Sequence, residues 1–407
     1  MKPIFTPPPA FAARGITGEQ WNDWRWQLAS VVRRASDLEK MVTMTEKDRD
    51  VFQTIIASAH KNNLDEMRLT PYLISLINWS NENDPIRLQH IPSSQEVRPD
   101  DFALDEVWEQ GTDFIDGKNR LLQQKYPDIV VVRLSNTCHS FCRFCFEKER
   151  TLRHGVPTLA GPEQITAAIK HIAGDTRLRQ VLLSGGDPLV MPDDVLAGYV
   201  ERLSAIPHLR IIRLNTRTVL HNPFRITDEL AHTLASIQKS SWENRERGTD
   251  IHIGVHFNHP SELTTEAVMA IRKLQRAGLH VYNQTVLLKE INDDAEILLA
   301  LFRILRQEGV ELHYLSEAMA VPGTQHLRTT VRRGQEIMRT LRQTKELRGQ
   351  LPHFELSHHT GKHIIPDTMN EIFFEDVIEK NGRSVPVIQF VSDITGRWEI
   401  FPDGDRE

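Results

Sequence analysis

From Tyr126 onward, six apolar runs of strand length alternate with amphipathic helical stretches, and no other feature restricts the fold of this chain so strongly. The runs are Ile129 to Val132, Val181 to Leu183, Ile211 to Leu214, Ile251 to Val255, Val281 to Leu288 and Val310 to Leu315. Between them the spacing of apolar residues predicts helices over Ala160 to Ala173, Asp193 to Ile206, Thr227 to Gln238, Thr264 to Ala277 and Asp293 to Gln307, with Gly278 placed as a helix C-cap. Strands separated by helical crossovers pair in parallel, which leaves an incomplete barrel or a doubly wound sheet. In either architecture the chemistry belongs at the carboxyl ends of the strands.

The flanks read differently. Pro3 to Pro9 reads as a loose arm. Helical patterns follow from Trp21 through Met41, over Glu46 to Lys61 and over Pro71 to Trp79, while Asp84-Pro85-Ile86-Arg87 and Ile91-Pro92 read as extended connections. After Pro366, Ile372 to Phe374, Val385 to Val391 and Trp398 to Phe401 predict short strands or an extended tail. The expected division is 1–125 for the arm and helical region, 126–325 for the barrel and 326–407 for a C-terminal segment.

Composition excludes more than it assigns. The 49 basic and 55 acidic residues leave a net charge of −6, which gives no electrostatic reason to expect a nucleic-acid partner. No apolar run approaches a membrane span and the N-terminus has no signal-peptide h-region, so a cytoplasmic protein without membrane partners is expected.

All 3 cysteines of the chain fall in Cys138-His139-Ser140-Phe141-Cys142-Arg143-Phe144-Cys145, directly after the first strand. Thiolates are the soft donors of an iron-sulfur cluster, and three of them leave a 4Fe-4S cluster with one iron open to a ligand. A disulfide framework does not suit a chain of this size with no other cysteine. Zinc completed by His139 or a distant histidine stays open on spacing alone. Gly185-Gly186-Asp187-Pro188 follows the second strand and so shares the same rim. Its glycines let backbone approach closely, although alone it reads as a plain strand-to-helix turn.

With those motifs stand Trp24-Arg25-Trp26-Gln27, Asp84 to Arg87, Leu182 to Asp187, His256-Phe257-Asn258-His259-Pro260, Asn283 to Leu288, Asn292-Asp293 and Gly361-Lys362. In this order they resemble the radical S-adenosylmethionine superfamily and, within it, the lysine 2,3-aminomutase family, over roughly Gln20 to Pro366. The resemblance implies a partial (β/α)6 barrel of the α/β class, with an N-terminal helical region and a C-terminal extension. Cys138, Cys142 and Cys145 would hold the 4Fe-4S cluster. S-adenosylmethionine would bind its open iron, beside Ser184, Gly185, Gly186, Asp187, Arg217, His256, Asn258 and Gln284. Pyridoxal phosphate would sit on Lys362, near Lys125 and Tyr126. The implied reaction moves an amino group between adjacent carbons of a small amino acid or amine. A flavodoxin- or ferredoxin-type donor would supply the electron, and the chain would assemble as a homo-oligomer.

Departures from the family narrow the substrate. Where relatives carry a carboxylate-binding arginine two residues after the last cysteine, this chain has Glu147, an anion that would repel a carboxylate. Of two acids that hold a distal ammonium, Asp293 matches the first by register. The second position reads as Met319, with Glu317 the nearest acid. Lys125 keeps one of two phosphate-binding cations. Lysine itself is therefore not the expected substrate. The alternative outcome is another hydrogen abstraction (dehydrogenation, elimination or epimerisation) without pyridoxal phosphate. Zinc-bridging cysteines found in some relatives are absent, so no zinc site of that type is expected. His358 and His359, unusual among relatives, are expected to line the substrate pocket.

Overall fold

The computed structural model describes residues 5–61, 65–97, 121–148, 151, 159–347, 349–380 and 382–404. Nine strands form one curled sheet, β1 (Leu122–Gln123), β2 (Ile129–Ser135), β3 (Gln180–Gly185), β4 (Ile211–Thr216), β5 (Asp250–Val255), β6 (His280–Leu287), β7 (Glu311–Glu317), β8 (His353–His358) and β9 (Gly361–Ile364), in simple sequence order. Strands β2 to β8 pair in parallel, and β1 and β9 are antiparallel edges.

All six expected strands are present, and a crossover helix follows each of β2 to β7: Pro162–Gly174, Asp193–Ser204, Asp228–Glu243, Thr265–Arg276, Ala295–Gln307 and Val331–Gln343. The partial (β/α)6 barrel is thus the observed fold. Alternation within the strands explains how it packs. Val130, Val132 and Leu134 of β2 are buried with Ile165, Ala168 and Ile172 of the first crossover helix, so Val131 and Arg133 turn to the opposite, lumen face. Gly278 takes φ 91° at the end of its helix, as a C-cap glycine does.

Four expectations differ. The barrel does not stop at 325, because β8 and β9 extend the sheet to Ile364. The helix Val331–Gln343 was not expected, although Thr330 caps its Arg333 N–H and Val331, Ile337, Met338 and Leu341 bury one side. Asp84 to Arg87 is not an extended connection but a helix start. Asp84 accepts from the N–H groups of Ile86 and Arg87 and Pro85 occupies the first turn of Pro85–His90, a position where proline has no hydrogen bond to lose. The Trp21 to Met41 pattern breaks into Gly18–Asn22, Trp24–Ala29 and Ala35–Leu38.

The helical region packs on the carboxyl rim of the barrel. Asn222 donates to the Trp24 carbonyl at 3.0 Å, the Arg225 guanidinium lies 4.4 Å from the Trp24 ring, and Thr70 donates to the His221 carbonyl at 2.5 Å. At the other edge, the Lys362 N–H donates to the Tyr126 hydroxyl at 2.6 Å and Lys125 donates to the His358 carbonyl at 3.1 Å. These bonds bring the two ends of the sheet together. A second sheet, β10 (Phe373–Lys380), β11 (Arg383–Val391) and β12 (Trp398–Pro402), is an antiparallel meander that matches the three expected C-terminal strands.

Candidate active site

The cysteine loop is held from three sides. From the helical region, Arg68 donates to the Cys138 carbonyl at 2.6 Å and accepts from the Phe141 N–H at 2.9 Å, while the Gln89 carbonyl takes the Arg143 N–H at 2.8 Å. From β3, the turn at Gly185 and Gly186 closes against the start of the loop: the Gly186 N–H donates to Ser135 at 2.7 Å and the Asp187 N–H to Thr137 at 2.9 Å. A Cβ on Gly186 would lie 2.5 Å from the Thr137 carbonyl carbon and 2.6 Å from its nitrogen. The glycine pair therefore serves contact between turn and loop, which is closer than any side chain permits. From the far rim, Phe144 packs with Leu288, Ile291, Ala318 and Leu327, and Lys148 donates to the Gly323 carbonyl at 3.0 Å. The loop thus spans the mouth of the barrel.

His139 is excluded as a metal ligand. It is fully buried, its Nδ1 accepts from Asn222 at 3.0 Å, and its Nε2 donates to the Leu189 carbonyl at 3.3 Å. The three cysteines are only partly buried. Burial pushes the Cys138 thiol well up, and Asp187, Cys145 and Cys142 add to the effect. Burial also pushes the Cys142 thiol up, against the opposing influence of Arg217, and thiols raised in this way become thiolates when a cation shares them, which is what an iron-sulfur cluster provides. The donor set fits the cluster.

Asp187 points into the protein. Its carboxylate accepts from Leu189 N–H at 2.9 Å, Thr216 Oγ1 at 2.8 Å, Arg217 N–H at 2.9 Å and Thr218 N–H at 3.2 Å. Its role is to fix the turn. Arg217 is also engaged inward: Nη1 donates to Cys142 Sγ at 2.8 Å, and Nη2 to Gln89 at 2.7 Å and Glu262 at 2.8 Å. Asn258 joins the same network, giving a hydrogen bond to Gln89 at 2.9 Å and accepting from Val286 N–H at 2.9 Å. His256 lies 3.1 Å from Asn258 Oδ1, and burial, with Arg217 beside it, pushes the ring down to about 3. Behind Cys142, buried His90 and His221 face each other at 3.2 Å. Gln284 stands in register with Tyr314 on the lumen side of β6 and β7.

On β8 and β9 the structure assembles a second group. Lys362 Nζ donates to Glu355 Oε1 at 2.5 Å and lies 4.1 Å from the Tyr314 ring centroid. Glu355 is fully buried and also holds Ser316. Lys362 thus presents an amine between a carboxylate and an aromatic face, which fits a carbonyl cofactor.

Several expected contacts are redirected. Glu147 pairs with Arg133 of β2 at 2.9 Å, both buried, so it does not present a bare anion. Asp293 accepts from Glu290 N–H at 2.9 Å through its carboxylate and from Arg333 through its carbonyl, holding the loop after β6. The carbonyl of Met319 closes a turn with Val321 and Thr324. Glu317 faces away from the lumen, 2.9 Å from Thr329, and burial with Asp403 nearby pushes it well up. His358 and His359 turn to the C-terminal sheet, His358 against Phe390 and His359 toward Glu399, rather than into the pocket. Sequence reading missed Arg133, Glu355, Gln89 and Glu262. For Glu355 a signal exists, since Phe354 and Leu356 on either side are core residues.

Comparison with known proteins agrees with this geometry. The radical SAM superfamily profile matches residues 132–302. An L-lysine 2,3-aminomutase of Fusobacterium nucleatum is 35% identical over 80% of this chain and 72% of its own length. A glutamate 2,3-aminomutase of Clostridioides difficile is 32% identical over 80% of this chain and 72% of its own. A protein of Aquifex aeolicus described as a putative L-lysine 2,3-aminomutase is 34% identical over 79% of this chain and 81% of its own.

Proposed function

This chain belongs to the lysine 2,3-aminomutase family of radical S-adenosylmethionine enzymes, and from that premise we propose that it shifts an amino group between adjacent carbons of an amino acid or amine bearing a second cationic group, with lysine itself not the simple answer. When bound, the 4Fe-4S cluster and S-adenosylmethionine supply the hydrogen-abstracting radical, and pyridoxal phosphate carries the migrating nitrogen.

The chain's own residues do the rest. Cys138, Cys142 and Cys145 hold the cluster, and Arg217 donates to one of its sulfurs. The turn at Ser184 to Asp187, with His256, Asn258 and Gln284, lines the place for S-adenosylmethionine. The loop packing around Phe144 excludes water from the lumen, which keeps radical chemistry from side reactions.

The observation that carries the substrate reading is the Lys362–Glu355 pair. Glu355 is fully buried, and its charge is matched by Lys362 at 2.5 Å. Glu355 is thus a buried carboxylate on the same wall as the lysine that would hold a carbonyl cofactor, and a second ammonium or guanidinium on the substrate is the group whose charge it suits. In this reading Glu355 takes the part that Asp293 was expected to play. Arg133, carried on β2 and held by Glu147, keeps a guanidinium at the lumen wall where relatives carry one in the cysteine loop, and so is the group for a substrate carboxylate.

The test is anaerobic incubation of the reconstituted enzyme with deuterated lysine, arginine, ornithine, glutamate and the corresponding amines, following deuterium into 5'-deoxyadenosine. Transfer from a dicationic substrate, abolished in Lys362→Ala, is the expected result. Transfer from glutamate alone, or undiminished transfer in Lys362→Ala, refutes the reading.

A further inference from the structure

We propose that His358, His359 and Glu399 bind one divalent transition-metal ion of the zinc type, tying the hairpin that carries Lys362 to the C-terminal sheet. The inference is independent of the aminomutase reading. One ligand-capable atom from each of the three residues lies within 4.8 Å of the other two. Two imidazoles and a carboxylate are a standard donor set for zinc and its neighbours. The three residues come from separate places: His358 ends β8, His359 lies in the turn to β9, and Glu399 sits on β12.

The geometry suits a shared ion better than a salt bridge. His359 Nε2 stands 3.8 Å from Glu399 Oε2, beyond hydrogen-bond range. Two ligands each about 2.0–2.1 Å from a tetrahedral ion sit roughly 3.4 Å apart, so this pair needs only a few tenths of an ångström to close on an ion, and the group as a whole, within 4.8 Å, at most about 1.4 Å. Where this protein makes a simple imidazole–carboxylate pair, as His280 does with Glu311, the distance is 2.9 Å.

The surroundings of His358 also match a ligand. Its side chain is 2% exposed, and its Nδ1 lies 2.9 Å from Thr360 Oγ1, which in turn lies 2.8 Å from His363 Nε2. A ligating histidine is oriented by a hydrogen bond on one nitrogen, and Thr360, accepting from Nδ1 and passing its own proton to His363, fills that part and leaves Nε2 for the metal.

The experiment uses holoenzyme with its cluster fully reconstituted, so that the cysteines do not compete. After exposure to Zn2+ and desalting, elemental analysis should find one zinc per chain beyond the cluster iron. His359→Ala and Glu399→Gln should each weaken zinc binding about ten-fold or more, with iron content and circular dichroism unchanged. Co2+ offered in place of zinc should give the visible bands of a nitrogen and oxygen site in the wild type and lose them in both variants. Wild-type holoenzyme without zinc, or zinc retained at full affinity by both variants, overturns the proposal.

Discussion

Replacing Gly186 by alanine tests whether the second rim motif serves the cysteine loop or a ligand. The added methyl would stand 2.5 Å and 2.6 Å from the carbonyl carbon and nitrogen of Thr137, all backbone, so no flexible side chain can yield. Ordinary contact begins near 3.4 Å, so the loop must retreat by about 1 Å, at the roughly 1–3 kcal/mol that overpacking costs. The same retreat stretches the bonds from Gly186 N–H to Ser135 and from Asp187 N–H to Thr137, each worth about 0.5–1.5 kcal/mol. A total loss of about 2–6 kcal/mol is expected, together with displacement of Cys138, one residue beyond Thr137. The assay is iron per chain and cluster absorbance after anaerobic reconstitution, beside denaturant unfolding. Gly198→Ala is the control. That glycine lies in the helix Asp193–Ser204 with nothing within 4 Å of an added Cβ, so the change should stabilise by up to about 1 kcal/mol. If Gly186→Ala binds iron as fully as Gly198→Ala and is as stable, the close-approach argument is wrong.

Arg217→Gln removes a donor to Cys142 Sγ, so the cluster's reduction potential should fall, as read by an EPR-monitored redox titration; an unchanged potential would show that the bond does not persist in the holoenzyme. Lys362→Ala should abolish the absorbance band of bound pyridoxal phosphate while leaving cluster absorbance intact. Glu317 is pushed well up by burial and Asp403, so it folds protonated and the native state loses stability as pH rises above its ordinary range. Glu317→Gln should therefore be tolerated and should flatten the fall in stability that begins above about 4.5, and a loss above about 3 kcal/mol would argue that its charge is needed. His139 is pushed down to about 3 by burial, so its contribution is complete above about 6.5 and is lost as pH falls toward 3. Denaturant unfolding of His139→Gln should show a shallower acid dependence than the wild type, and equal slopes would refute the assignment.

Much of the barrel is legible in the chain because each strand buries a local apolar pattern and each crossover is long enough to be a helix. Legibility fails where a short motif serves two purposes. Asp84-Pro85 reads as a break, since proline disfavours helix in the residue before it, yet the same pair makes a good helix start once Asp84 caps it. β8 escapes notice because His-Phe-Glu-Leu-Ser-His buries a charged residue on its lumen face.

By itself, the sequence determined the alternating strands and helices, the grouping of the three thiols, and their place on the same rim as the Gly-Gly-Asp turn. Those follow from periodicity and from chain order, which are local. Only the tertiary structure decided which charges meet. Arg133 and Glu147 lie on separate segments, yet pairing makes Glu147 a support where the sequence alone reads a repulsive anion. Glu355 and Lys362 meet across β8 and β9, while Asp293 is occupied by its own loop. The physical reason is that a buried charge is defined by its partner, and partners in this barrel are chosen by the curl of the sheet rather than by distance along the chain.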